Sequence, residues 1–148
     1  MEQPRLLPFH ITGNTPGMVA ANGVAATWTD IWRVQIPQGM GLILQASDQL
    51  SVYFEDNTAA ECGLDGSCRL RMEVRDPAEQ DVERVFGDAN YRRVREFQNR
   101  ALIGHLGISK PVKVYERQWL VITAIDNATI TVANCYFDLL TSKVAVGV

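Results

Sequence analysis

The sequence predicts a mainly β protein: an antiparallel sandwich or barrel-like domain at 27–148 with one or two short helices, preceded by an extended N-terminal arm at 1–26. Three observations predict it. Val, Ile and Thr, which favour pleated, half-buried surfaces, make up 33 of the 148 residues. Short alternating apolar and polar runs recur at fairly regular spacing, with turn residues between them. No charged side chain occurs from Leu6 to Thr29, where Pro and Gly are frequent. The length suits one domain with a sizeable core, 47% of the residues are hydrophobic, and the net charge is only −3. That balance excludes a strongly basic nucleic-acid binder and an acidic disordered tail.

The arm comes first. Pro4, Pro8 and Pro16 block continuous helix or central-strand structure, and Gly13, Gly17 and Gly23 permit unusual backbone angles. Leu6, Leu7, Phe9, Ile11, Met18 and Val19 are apolar without a sustained period. An uncharged, partly apolar, irregular segment needs a surface to lie on, either its own domain or a neighbouring subunit.

Strand signals begin at Thr27. Trp28, Trp32, Val34 and Ile36 fall on one alternate set that ends at Pro37 and Gly39, and Leu42–Ala46 is a short buried run. Leu50, Val52 and Phe54 alternate with Ser51, Tyr53 and Glu55; Leu70, Met72 and Val74 alternate with Arg69, Arg71, Glu73 and Arg75. Between them, 56–67 is a loop rich in Asn, Gly, Asp and Ala. Asp76-Pro77-Ala78-Glu79 has the form of a helix start, and Val82, Val85 and Phe86 share a helical face, which predicts a short helix over 77–86. Tyr91–His105 reads as a strand leading into a second short helix. Val112 and Val114, Trp119–Ala124, and Ile130 and Val132 continuing to Cys135 and Phe137 are strand-like, and Val144, Val146 and Val148 form a last strand.

The three cysteines, Cys62, Cys68 and Cys135, are an odd number, against a secreted disulfide framework. Cys62 and Cys68 flank a turn-rich stretch that is open to a local disulfide, but two free thiols are the expectation in a reducing cytoplasm. Their spacing is not that of a zinc knuckle, and His10 and His105 have no ligand partner nearby, so no metal and no cofactor are expected. No targeting segment and no apolar run of membrane-spanning length is visible, so a soluble, cytoplasmically made chain without a membrane partner is expected.

No nucleophile elbow or phosphate loop is present, and Cys135 lies in an apolar strand pattern that predicts an inert buried thiol. Glu55-Asp56 reads as solvated turn residues rather than a hard-cation site. Arg exceeds Lys eleven to three, and residues 69–100 hold eight of the fourteen bases together with seven acids. Such near-neutral crowding points to ion pairing within or between subunits rather than to phosphate, which needs uncompensated positive charge. Arg92, Arg93, Arg95 and Arg100 are the candidate interface ion pairs.

The Pro- and Gly-containing arm from Pro4 to Gly23, uncharged from Leu6 onward, the strand-rich body without a catalytic constellation, and the segments Trp32-Arg33-Val34-Gln35-Ile36-Pro37 and Val112-Lys113-Val114-Tyr115-Glu116-Arg117-Gln118-Trp119 together resemble capsid decoration proteins of tailed bacteriophages, in particular those of thermophilic long-tailed phages. The resemblance implies a non-enzymatic virion protein on the capsid exterior. It implies a homotrimer of β-rich subunits bound to the major capsid protein, with the arm engaging neighbouring subunits and clamping the shell. Leu6, Leu7, Pro8, Phe9 and Ile11 are then the arm's interface residues. Two other classes compete. A carbohydrate- or protein-binding sandwich predicts a ligand face made from Trp119, Tyr115 or Tyr53, and a small β-rich enzyme predicts a pocket joining His105 to Glu116 or Asp126.

Overall fold

Strand alternation resolves into two antiparallel sheets facing each other across one core. The computed structural model describes residues 7–12, 25–63, 67–96, 101–102, 106, 108 and 110–145, with the backbone alone at 7–12, 101–102, 133 and 140–145. In chain order the strands are β1 (Leu7–Thr12), β2 (Thr29–Gln35), β3 (Met40–Leu44), β4 (Gln49–Tyr53), β5 (Arg69–Arg75), β6 (Asp81–Asn90), β7 (Ala101–Leu102), β8 (Val112–Val114), β9 (Trp119–Ile125) and β10 (Tyr136–Ala145). One short helix, α1 (Tyr91–Glu96), follows β6, and a 3-10 turn, Val132–Asn134, precedes β10.

The first sheet is organised by β10. Ser142–Ala145 pair with β3 and Tyr136–Leu140 pair with β4. Both partners run antiparallel to β10, so they lie in tandem along one side of it. The interruption at 45–48 is closed by Asp48, whose amide donates to the Gln45 carbonyl at 3.0 Å and whose Oδ2 accepts the Gln45 amide at 2.9 Å. β1 pairs along Asp138–Lys143 on the opposite side and covers the join. β8 and β7 extend the sheet outward from β3 and β4. The second sheet has the order β2-β9-β5-β6.

Between the sheets lie Trp32, Leu70, Met72, Leu120 and Ile122 from one side and Leu44, Leu50, Val52, Phe137 and Leu139 from the other, all in one buried cluster. The Trp32 and Phe137 rings meet at 4.4 Å across the interface. Burying each such side chain contributes about 1.5–3 kcal/mol.

Five local expectations are corrected. The helix over 77–86 is a hairpin loop and the first half of β6. Asp76 does cap, but it caps the loop: its Oδ1 accepts the amides of Ala78 and Gln80, both at 2.9 Å, while Glu79 turns the chain back with a φ of +63°. The ten residues of β6 oppose the seven of β5, with register shifts beside Met72 and Arg75. These bulges break the two-residue alternation and bring Val85 and Phe86 inward together, which imitates helical spacing.

At 91–105 the order is reversed: α1 comes first and β7 second. The Asn90 side chain accepts the Arg92 amide at 2.9 Å and starts the helix, and Tyr91 and Val94 bury one face. His105 lies outside the described residues. In β2 a register shift between Asp30 and Trp32 buries both Ile31 and Trp32, and Trp28 precedes the strand. The last strand is no separate element: Val144 continues β10, and 146–148 lie outside the described residues.

Residues 7–12 are a regular strand rather than an irregular arm segment. Pro8 fits because β1 is bonded to β10 alone among the described strands, the edge position that tolerates proline. Pro4, Pro16 and the arm glycines lie outside the described residues.

Candidate assembly surfaces

The outward face of the second sheet is roofed by arginines. Along it, Arg33 lies across Val121 from Glu73, and Asp30 lies across Thr123 from Arg71. Val121, Thr123 and Glu73 are buried even though they face away from the core. The Arg33 guanidinium lies 5.5 Å from the Trp119 ring centroid and pairs with Glu79 of the β5–β6 hairpin. Arg71 stacks 3.7 Å above Trp28 and bonds Asp88 through two nitrogens at 3.0 and 3.1 Å. Arg75 grips Asp30 with both prongs at 2.8 and 2.9 Å, and also meets Glu73 at 3.3 Å and Asp81 at 3.5 Å. The Asp30 carboxylate, against the opposing effect of burial, holds the Arg75 guanidinium above its ordinary range.

A second polar network ties α1 to the first sheet. The Tyr91 hydroxyl donates to Glu61 at 2.7 Å and accepts the Phe54 amide at 3.0 Å. Arg95 donates to the same Glu61 oxygen at 2.6 Å and to the Val52 carbonyl at 3.2 Å. Burial is the largest cause pushing the Tyr91 phenol up. Beside this network Tyr53 and the exposed Tyr136, a cross-strand pair, stack at 5.6 Å. The Tyr53 hydroxyl donates to Glu55 at 2.9 Å, which raises its phenol, and Asn134 donates to the other Glu55 oxygen at 3.0 Å. The adjacent Asp56 carboxylate accepts from the Thr58 hydroxyl and from the amides of Thr58 and Ala60, which hold it below the usual range. Both carboxylates of the Glu55-Asp56 pair are therefore engaged by their own chain.

The sequence-derived site residues fall into two groups. Leu7, Pro8, Phe9 and Ile11 lie in β1, paired with Lys143, Ser142, Thr141 and Leu139 of the same chain; Leu6 and Arg100 lie outside the described residues. Any contact of 7–11 with a neighbour therefore uses the faces or the far edge of β1. Arg95 is committed to Glu61, whereas Arg92 reaches Glu96 only at 3.8 Å with both side chains exposed. Arg93 is exposed and has no ion pair among the described residues.

Of the aromatic residues considered for a ligand face, Tyr115 is exposed, while Trp119 and Tyr53 are half-buried on different sheets. Glu116 accepts the Gly39 amide at 2.7 Å just before β9, and Asp126 accepts the Ser67 hydroxyl at 2.7 Å just after it, so the two carboxylates sit at opposite ends of the strand. All three cysteines are free and buried, and burial pushes the Cys135 thiol up to about 11.

The partners of Arg33, Arg75 and Arg95 were not legible from spacing. They lie 46, 45 and 34 residues away. The available signal was arginines on the polar face of a strand pattern that also carried tryptophans.

These features define an antiparallel two-sheet β sandwich with ion-paired outer surfaces. No protein-family model matches the chain, and no curated protein matches it. Among solved structures it is similar to VP17, a capsid protein of bacteriophage P23-77, with a TM-score of 0.63 and 7% identity over 99% of this chain and 100% of that one. At that identity the likeness is one of fold.

Proposed function

We propose that this chain is a structural protein of a bacteriophage virion. The observation that carries the proposal is the end-to-end fold likeness to a phage capsid protein, which leaves neither chain with an unmatched domain. In the finer form of the proposal the protein sits on the capsid exterior as a homotrimer and binds the major capsid protein. Residues 1–26 act as the arm, stabilising the shell through contacts of 6–11 with neighbouring subunits. Avidity supports this arrangement, because linked weak contacts on a lattice hold far more strongly than one contact alone. The arm's uncharged part, from Leu6 onward, also docks without desolvating ions.

The test is native mass combined with co-sedimentation on purified phage heads lacking this protein. A trimer that sediments with heads is expected, and a monomer that ignores them overturns the proposal. A second reading, that the chain itself builds the shell, is favoured because VP17 is described as a capsid protein. Particles formed by the purified chain alone, seen by electron microscopy, would select that reading.

A further inference from the structure

The β4–β5 connection carries two of the three cysteines in its second half. Cys62 and Cys68 are both free, at 1% and 0% exposure. The Cys62 amide donates to the Phe54 carbonyl at 2.8 Å, and the Cys68 carbonyl accepts the Tyr91 amide at 3.0 Å, so each is fixed from outside the turn. Gly63 closes the approach. It has a φ of +70°, and a Cβ there would stand 2.6 Å from the Cys68 Cβ and 3.3 Å from its amide nitrogen. No larger residue lets the chain next to Cys62 come so near Cys68. The Cys62 thiol is pushed far up, first by a hydrogen bond with Cys68 and then by burial, as expected for two sulfurs in contact. Asp126, buried and held by Ser67, also faces Cys62 and opposes its ionisation. Cys135 is occupied differently: its thiol lies 3.4 Å from the Thr131 carbonyl.

We infer that Cys62 and Cys68 are an oxidisable pair, which closes to an intramolecular disulfide when the protein meets a low-molecular-weight disulfide outside a reducing compartment. One protein thiolate attacks a sulfur of the reagent, whose S–S bond breaks and releases its first thiol. The second protein thiolate then attacks the mixed disulfide at the protein sulfur and releases the second thiol. The two released thiols carry away both electrons and both protons, and the protein keeps one new S–S bond. The bond joins Cys62 to Cys68 beside Tyr91 of α1. The hydrogen bond with Cys68, burial and the neighbouring carboxylate keep the Cys62 thiol protonated, so closure proceeds through local opening and is slow. The inference goes beyond the virion role and stands without it, because its test uses the isolated protein.

The full chain is incubated with oxidised glutathione at pH 8, then unfolded in denaturant with an alkylating agent and analysed by mass spectrometry and non-reducing peptide mapping. Loss of two hydrogens and a peptide linking Cys62 to Cys68 are expected both in the wild type, with one alkylated thiol, and in Cys135→Ser, with none. The Cys62→Ser and Cys68→Ser variants should form no internal bond. The oxidised protein should also melt higher than the same sample after dithiothreitol. Three alkylated thiols, stable glutathione adducts, or a link to Cys135 in the wild-type map would overturn the inference, whether or not the serine variants fold.

Discussion

The Tyr91 hydroxyl is buried where α1 meets the first sheet, and its two bonds reach a backbone amide and a carboxylate. Tyr91→Phe keeps the stack on Phe54 at 5.1 Å but leaves the Phe54 amide without a partner. The expected loss is about 1–3 kcal/mol, read by urea denaturation. The same residue sets an alkaline limit. Its folded phenol is raised above the unfolded value of about 10, so the stability linked to it is complete below that pH and is lost as pH rises toward the folded value. Cys135, raised to about 11, acts in the same direction. Unfolding free energy should therefore decline above about pH 9, and less steeply in Tyr91→Phe between pH 10 and 12; equal slopes would remove Tyr91 from the explanation. Arg75 tests the roof. Its side chain is 14% exposed and faces three carboxylates, so Arg75→Met leaves Asp30 and Glu73 uncompensated, at a cost of roughly 2–4 kcal/mol. Neutralising both acids as well, with Asp30→Asn and Glu73→Gln, should restore most of that loss, because the penalty lies in the unpaired charges.

At the scale of elements, legibility followed the regularity of the backbone. β5 and β4 alternate as read, because each keeps one unbroken register with its central neighbour. β6 was read as helix because bulges shift its inward positions and because Asp76 caps a loop with the same side-chain chemistry that caps a helix. The Asn90 cap was present in the sequence but stood just before Tyr91–His105, which was read as beginning with a strand. The charge balance of 69–100 was legible, whereas its pairing was not, since Arg33, Arg75 and Arg95 choose partners through sheet order rather than spacing. β1 shows the same limit: its composition marks a segment seeking a surface, and only the pairing with β10 names that surface. Removing residues 1–12 should leave both sheets folded by circular dichroism but uncover the β10 edge at Asp138–Lys143. An uncovered edge templates pairing with another chain, so the truncated protein should melt lower and self-associate as its concentration rises. Unchanged melting and mass would mean that β1 contributes nothing to the sandwich.

Across the whole molecule, most described arginines are spent on the fold, and this decides which remain for a partner. Arg71, Arg75 and Arg95 hold Asp88, Asp30 and Glu61 of the same chain at 3.1 Å or less. Arg92 and Arg93, side by side on the open face of α1, are exposed, and the Arg92–Glu96 ion pair is long, at 3.8 Å. An exposed i,i+4 pair of this kind is worth a few tenths of a kcal/mol at most, so replacing both arginines should change stability by less than about 0.5 kcal/mol. Under the proposed function, the same side chains set against a carboxylate of a neighbouring subunit would lose solvent screening and matter more. The double variant Arg92→Glu/Arg93→Glu should therefore melt like the wild type yet sediment with heads about tenfold more weakly, equivalent to about 1.4 kcal/mol. The deficit should shrink at high salt as the wild-type contact is itself screened. Arg95→Glu should do the reverse, lowering the melting temperature because it sets a carboxylate against Glu61 next to Tyr91. If both variants lost stability equally, or if the double variant bound heads like the wild type at every salt concentration, the open face of α1 would not be where the subunit meets its neighbour.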